Sequence, residues 1–150
     1  MFETPLTVVG RVISDVNQRT TQNGDKMCSF RVAANERRFN RESNEWVDGD
    51  TLYVRVTCWR KLAENVSVSL FKGDHVLVTG RAYLSQYEVN GVPRSTLELD
   101  ARAVGPNLWL TPVMIGRAAR DHIPVDALTR DDFELAQPAA GTKVAEPLAA

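Results

Sequence analysis

The sequence predicts an all-β fold, a closed barrel of five strands with one short helix between the third and the fourth. Three observations carry that prediction. Apolar residues alternate with a period of two in separate runs, only one short stretch has helical spacing, and Asn23-Gly24, Asp48-Gly49-Asp50 and Asn90-Gly91 supply turn residues between the runs.

A first strand opens the chain at about Leu6 to Ser14. In the second, Cys28, Phe30, Val32 and Ala34 share a face against Ser29, Arg31 and Ala33. In the third, Leu52, Val54, Val56 and Cys58 face inward, while Tyr53, Arg55, Thr57 and Trp59 face outward. From Lys61 to Phe71 the period changes: Leu62, Val66 and Leu70 recur every fourth residue and Gly73 follows as a terminating cap, which reads as the single helix. The fourth strand starts at His75, with Val76, Val78, Ala82 and Leu84 on one side and Thr79, Arg81, Tyr83, Ser85 and Tyr87 on the other. In the fifth, Thr96 to Val104, Leu97, Leu99, Ala101 and Ala103 face in and Glu98, Asp100 and Arg102 face out. Three strands, a helix and two strands is the order of the five-stranded OB barrel, a fold that binds oligonucleotides on one sheet face.

A chain of 150 residues has room for one such domain and a tail. We place the barrel at 1–110, a partly ordered extension at 111–135 and a disordered tail at 136–150, where AQPAAGTKVAEPLAA is small, Pro-interrupted and aperiodic. With 43% hydrophobic and 25% charged residues the composition is that of a soluble globular chain. No apolar run approaches the roughly 18 residues of a spanning helix, and no leader pattern precedes residue 10, so no membrane association and a cytoplasmic protein are expected.

A net charge of −1 argues against bulk coating of polyanions, so any nucleic-acid site must be a local patch. Cys28 and Cys58 are too few and too far apart in sequence for a zinc site or a disulfide framework. A hairpin arm centred near residue 43 would set them opposite each other, and in a reducing compartment two buried thiols are expected there. Enzyme readings find little support: His75 and His122 are far apart, neither G-x-x-x-x-G-K nor G-x-S-x-G occurs, and Asp131-Asp132 reads as a solvated acidic turn. No cofactor, metal or catalytic residue is assigned.

What stands out is the decorated sheet face. Every base offers a π-face and every linkage a phosphate, so aromatic and cationic side chains on one solvated sheet suit single-stranded nucleic acid. Tyr53, Trp59, Tyr83 and Tyr87 are the stacking candidates. Arg55 and Arg81 lie in phase with them, and Arg31, Arg37, Lys61 and Lys72 are close in sequence. The run from Glu36 to Trp46 reads as a long hairpin arm that adds Arg38, Phe39 and Arg41, although its own glutamates offset much of that charge. Strand aromatics also serve subunit interfaces, and this pattern alone leaves packing and binding as equal readings.

Two runs resemble a known family closely: Tyr53 to Glu64, YVRVTCWRKLAE, and Lys72 to Arg81, KGDHVLVTGR, with a weaker match at Val8 to Val12. They are similar to the bacterial single-stranded DNA-binding proteins over about Thr4 to Val104. The resemblance implies an OB fold, a homotetramer and sequence-tolerant wrapping of single-stranded DNA in replication, repair or recombination, with a nucleoid-associated location. It places stacking at Tyr53, Trp59 and Tyr87 and basic contacts at Arg55, Lys61 and Lys72.

Three departures from the family pattern stand out. Arg38, with Phe39 beside it, replaces a common arm tryptophan. Tyr83, Ser85 and Gln86 stand where relatives often carry Arg or Lys, which implies a shallower salt dependence. The acidic tip that recruits partner enzymes is not matched by the final residues Glu146 to Ala150, so the chain looks like a second paralogue that does not recruit those enzymes. Val104 to Val113 resembles an extension that adds an extra C-terminal strand and clamps a neighbouring subunit in some lineages. The alternative function is an OB-fold adaptor of a primosome or translation type, acting through protein contacts.

Overall fold

The computed structural model describes residues 2–115. The elements run β1 (Pro5–Val12), β2 (Asn17–Thr20), β3 (Lys26–Asn40), β4 (Glu45–Trp59), α1 (Arg60–Ser69), β5 (His75–Val89) and β6 (Val92–Pro106). Strand order is β1-β5-β6-β4-β3-β2, and β1 pairs again with β3 at Arg11 and Val12. That second pairing closes five strands into the expected ring. The short β2 is an addition, a hairpin partner of β3 across the Asn23-Gly24 turn, where Gly24 has φ 83°.

Closure depends on how near two backbones can come. A Cβ on Gly10 would lie 2.5 Å from the Ala33 carbonyl oxygen, so only glycine lets β1 meet β3 there. At Gly80 a Cβ would lie 2.0 Å from the Asp100 carbonyl oxygen, where β5 crosses β6. β4 and β6 run parallel, with Val54 opposite Leu97 and Thr57 opposite Asp100, and all other pairings are antiparallel.

The core is the inward row of each strand: Val8 and Val12, Phe30 and Val32, Val54 and Val56, Val76 and Val78, and Leu99. Burying each such side chain contributes about 1.5–3 kcal/mol before the entropic cost of ordering it. α1 adds Ala63 and Val66 to the same cluster and packs on β3 and β4. The helix ends earlier than its spacing predicts. Leu70 is already extended and donates its N–H to the Val66 carbonyl, while Gly73, at φ 103°, serves the following turn and donates to the Val12 carbonyl.

Cys28 and Cys58 are register partners on β3 and β4, both free and fully buried, as the hairpin arithmetic anticipates. A hydrogen bond between the thiols lowers Cys28 below the usual thiol range and, with burial, pushes Cys58 well above it.

Several inward assignments fail where the strands outrun the barrel. Leu52 and Leu84 are exposed because β4 and β5 continue into hairpin arms with no second layer beneath them. Ala103 is exposed and Val104 packs on the core instead: β6 slips register between Thr79 and Gly80 of β5, leaving Arg102 extra and reversing the alternation beyond it. Asp48-Gly49-Asp50 is not a turn but lies within β4, and the chain reverses at residues 41–44, where Asn44 has φ 55°. Asn90-Gly91 is a turn as expected, with φ 51° and 75° joining Val89 to Val92 as a two-residue hairpin requires. β6 ends at Pro106 and residues 108–110 form a turn, so the extra strand expected after the barrel is not formed within the described residues. The remainder of the 111–135 extension beyond residue 115, and the tail at 136–150, lie outside the described residues.

Candidate nucleic-acid interface

The register assembles the outward residues of four strands into rungs. Arg31 of β3 lies opposite Arg55 of β4, Arg55 opposite Glu98 of β6, and Glu98 opposite Tyr83 of β5. The next rung is Ser29, Thr57, Asp100 and Arg81. Flanking them on β4 are Tyr53, opposite Ala33, and Trp59, opposite Met27. Neighbouring strands lie about 4.8 Å apart, so these side chains form one continuous solvated surface. Six of the residues singled out from the sequence therefore converge: Arg31, Tyr53, Arg55, Trp59, Arg81 and Tyr83.

Aromatic rings here remain available. Tyr53, Trp59, Tyr83 and Tyr87 are all partly exposed, between 40% and 55%. Two arginines are already in cation–π geometry, Arg31 at 5.9 Å from the Tyr53 ring centre and Arg81 at 4.9 Å from that of Tyr83. Such contacts hold long side chains over the sheet and reduce the entropy lost when a strand binds.

Charges on this face are mostly paired. Arg81 is hydrogen-bonded to Asp100, which raises its pKa further, and Arg55 Nη1 lies 3.6 Å from Glu98 Oε1. Arg31 has no carboxylate partner among the described residues. The Tyr83 hydroxyl is raised above the usual phenol range, first by burial and then by the charges of Asp100 and Glu98, so it stays a neutral hydrogen-bond donor.

The other candidates lie on other elements or further out. Tyr87 is on the β5–β6 arm opposite Arg94. Lys61 is in the first turn of α1 and pairs with Glu64, and Lys72 is in the loop between α1 and β5. On the β3–β4 arm, Arg37 pairs with Asp48, and Arg38 bridges Glu36 at 2.9 Å and Asp50 at 3.3 Å, holding the Glu36 carboxyl below its usual range. Phe39 packs edge-on against Trp46 at 5.4 Å, and Arg41 sits in the turn. The arm's charge is thus largely self-neutralised, and Arg41 is its one arginine without an ion pair among the described residues.

Sequence reasoning missed Glu98 and Asp100 as parts of this surface. Alternation in β6 does turn both outward, but which cations they face depends on the parallel β4–β6 register, a pairing between segments some forty residues apart that no local pattern reports.

A five-stranded barrel with stacked aromatic and cationic side chains across β3, β4, β6 and β5 defines the class, an OB-type barrel with an oligonucleotide-binding kind of sheet face. Comparison with known proteins places it more narrowly. The model of the single-strand binding protein family matches residues 4–106, and the chain belongs to that family. It is 40% identical over 121 residues to the single-stranded DNA-binding protein of Paenarthrobacter aurescens, covering 80% of this chain and 71% of that one. To the corresponding protein of Corynebacterium glutamicum it is 42% identical over 119 residues, spanning 79% of this chain but only 53% of the relative. Among solved structures, the small single-stranded DNA-binding protein of Streptomyces coelicolor superposes with a TM-score of 0.69 at 35% identity, over 74% of this chain and 100% of that one. The second such protein of Mycobacterium smegmatis gives a TM-score of 0.62 at 39% identity, over 77% and 100%.

Proposed function

We propose that this chain binds and protects single-stranded DNA without sequence-specific readout and without catalysis. The observation that carries this reading is the convergence of Arg31, Tyr53, Arg55, Trp59, Arg81 and Tyr83 on one sheet face, within the region matched by the family. Bases stack on Tyr53, Trp59, Tyr83 and Tyr87, while Arg31 and Arg55 meet phosphates. Arg37, Arg38, Phe39 and Arg41 on one arm, and Lys61 and Lys72 around α1, are outer contacts along the strand's path. Titration of intrinsic tryptophan fluorescence with oligo-dT at two salt concentrations tests the proposal: strong quenching that weakens with salt is expected, and neither quenching nor a gel shift at low salt refutes it.

The same reading includes a homotetramer. Two features support self-association: among the described residues β1 pairs with β3 only at Arg11 and Val12, so that one edge of Pro5 to Gly10 has no strand partner among them, and Val9 and Leu77, register partners, are both exposed on the barrel's exterior. Light scattering of the purified protein measures the assembly, and a monomer at micromolar concentration contradicts it. Work on exposed strands places the protein in the cytoplasm, on the nucleoid, in replication, repair or recombination. Among the described residues no helix is long and apolar enough to cross a membrane.

A further inference from the structure

β3 is flanked by cations on β1 and β2 that continue the sheet face past its tyrosine and tryptophan. β1 pairs with β3 at Arg11 opposite Ala33, and Ala33 in turn lies opposite Tyr53 of β4. Towards the other end of β3, Arg19 of β2 lies opposite Met27, and Met27 opposite Trp59. Residues directly opposite each other in an antiparallel pair share a face of the sheet. Arg11 therefore stands in the rung of Tyr53 and Arg19 in the rung of Trp59, each two strands, roughly 10 Å, from its aromatic partner. Between them on β3 is Arg31, whose guanidinium already lies over the Tyr53 ring. All three arginines are exposed. The row follows β3 from Ala33 to Met27, about 20 Å at roughly 3.4 Å per residue, alongside the aromatic row of β4.

Charge pairing sets the two sides of the aromatic row apart. On the β6 and β5 side, Arg55 lies 3.6 Å from Glu98 and Arg81 is hydrogen-bonded to Asp100, so carboxylates match the cations there. Arg11, Arg19 and Arg31 have no carboxylate partner among the described residues. Arg11 donates its Nε–H to the Gly73 carbonyl at 3.2 Å, a bond that holds the side chain without neutralising it. Lys72, exposed and next to Gly73 in the chain, adds a further positive charge at that end. A phosphodiester carries one negative charge at every linkage. It is repelled by Glu98 and Asp100 on one side of the β4 aromatics and attracted by the arginines on the other, where no internal ion pair has to be broken to receive it.

We infer that the phosphate backbone of a bound strand lies along β3, over Arg11, Arg31 and Arg19, with its bases turned toward Tyr53 and Trp59 of β4. Arg11 and Arg19 are thereby phosphate contacts, and because they touch no base edge they leave binding sequence-tolerant. The inference rests on the single-strand reading above and adds to it the placement of the strand and two contact residues.

Salt titration of oligo-dT affinity tests it, with wild type, Arg11→Gln, Arg11→Lys, Arg19→Gln and Arg102→Gln. Each glutamine variant on the row should flatten the slope of log K against log salt by about 0.7, the share of one phosphate contact to a single strand. Arg11→Lys should keep the wild-type slope, because it keeps the charge. Arg102→Gln removes the same charge from β6, where Arg102 pairs with Glu3, and should leave the slope unchanged. A wild-type slope in either Arg11→Gln or Arg19→Gln overturns the inference. Flattening in Arg11→Lys as large as in Arg11→Gln also overturns it, because Arg11 then serves only to hold the Gly73 carbonyl. Equal flattening in Arg102→Gln does the same, since the slope then reports net charge and not position. Failure of wild type to bind oligo-dT at low salt instead overturns the single-strand reading.

Discussion

Trp59→Ala separates the assigned face from the rest of the molecule. Trp59 is 43% exposed, lies in the last position of β4 opposite Met27, and precedes α1 without any side-chain capping bond. Truncation therefore removes neither a core side chain nor a helix cap. The fold should lose only a cross-strand contact of about 0.2–1 kcal/mol. The exposed ring face, by contrast, is what a base would cover, and one aromatic stack on a single strand is worth about 1–3 kcal/mol. That corresponds to a loss of about 5- to 150-fold in oligo-dT affinity. Trp46→Ala is the internal control: Trp46 is engaged edge-on with Phe39 on the β3–β4 arm, far along the hairpin from the rungs. The chain has three tryptophans, so each variant also shows which ring carries the fluorescence quench. Anisotropy titration at fixed salt, with thermal melts of both variants alongside, gives the comparison. Equal losses from the two substitutions, or full affinity and full quenching in Trp59→Ala, would refute the assigned face.

Arg31→Ala and Arg55→Ala should each lower affinity for all sequences alike and reduce the slope of log K against log salt by about 0.7, since a phosphate contact to a single strand releases counterions without reading a base; a loss confined to particular sequences counts against phosphate contact. Gly80→Ala should depress the melting temperature steeply, because its Cβ would meet the Asp100 carbonyl at 2.0 Å and backbone on both sides must move; a melt within one or two degrees of wild type contradicts the β5–β6 geometry. Cys28 and Cys58 should resist alkylation in the folded protein and both react once it is unfolded without reductant, read by mass spectrometry, with a quantitative crosslink overturning the assignment of free thiols. Deleting residues 136–150 should leave oligomer and oligo-dT affinity unchanged, and a pull-down in which only the full chain captures replication or repair enzymes would show that segment to recruit partners.

The sequence by itself determined what local chemistry controls. Alternation at residues 28–34 and 54–58 settles which side chains face in, since a strand's period is two wherever one face is buried, and Asn90-Gly91 announces its hairpin through the positive φ both positions need. The same arithmetic, from a tip near residue 43, sets Cys28 opposite Cys58, but the structure reaches that pairing by a different route: the turn at 41–44 is centred half a residue earlier, and the one-residue slip between Asn35 and Arg37, which lies between the two cysteines, restores the facing. Only the tertiary structure decided the rest. Leu52 and Leu84 satisfy the inward pattern yet have no layer to pack on, and one extra residue at Arg102 reverses the facing of Ala103 and Val104; burial depends on what another segment covers. The parallel pairing of β4 with β6 is the largest such case. It sets Glu98 beside Arg55 and Tyr83, and since parallel partners are joined through a helix and another strand rather than a tight turn, no local signal fixes their register.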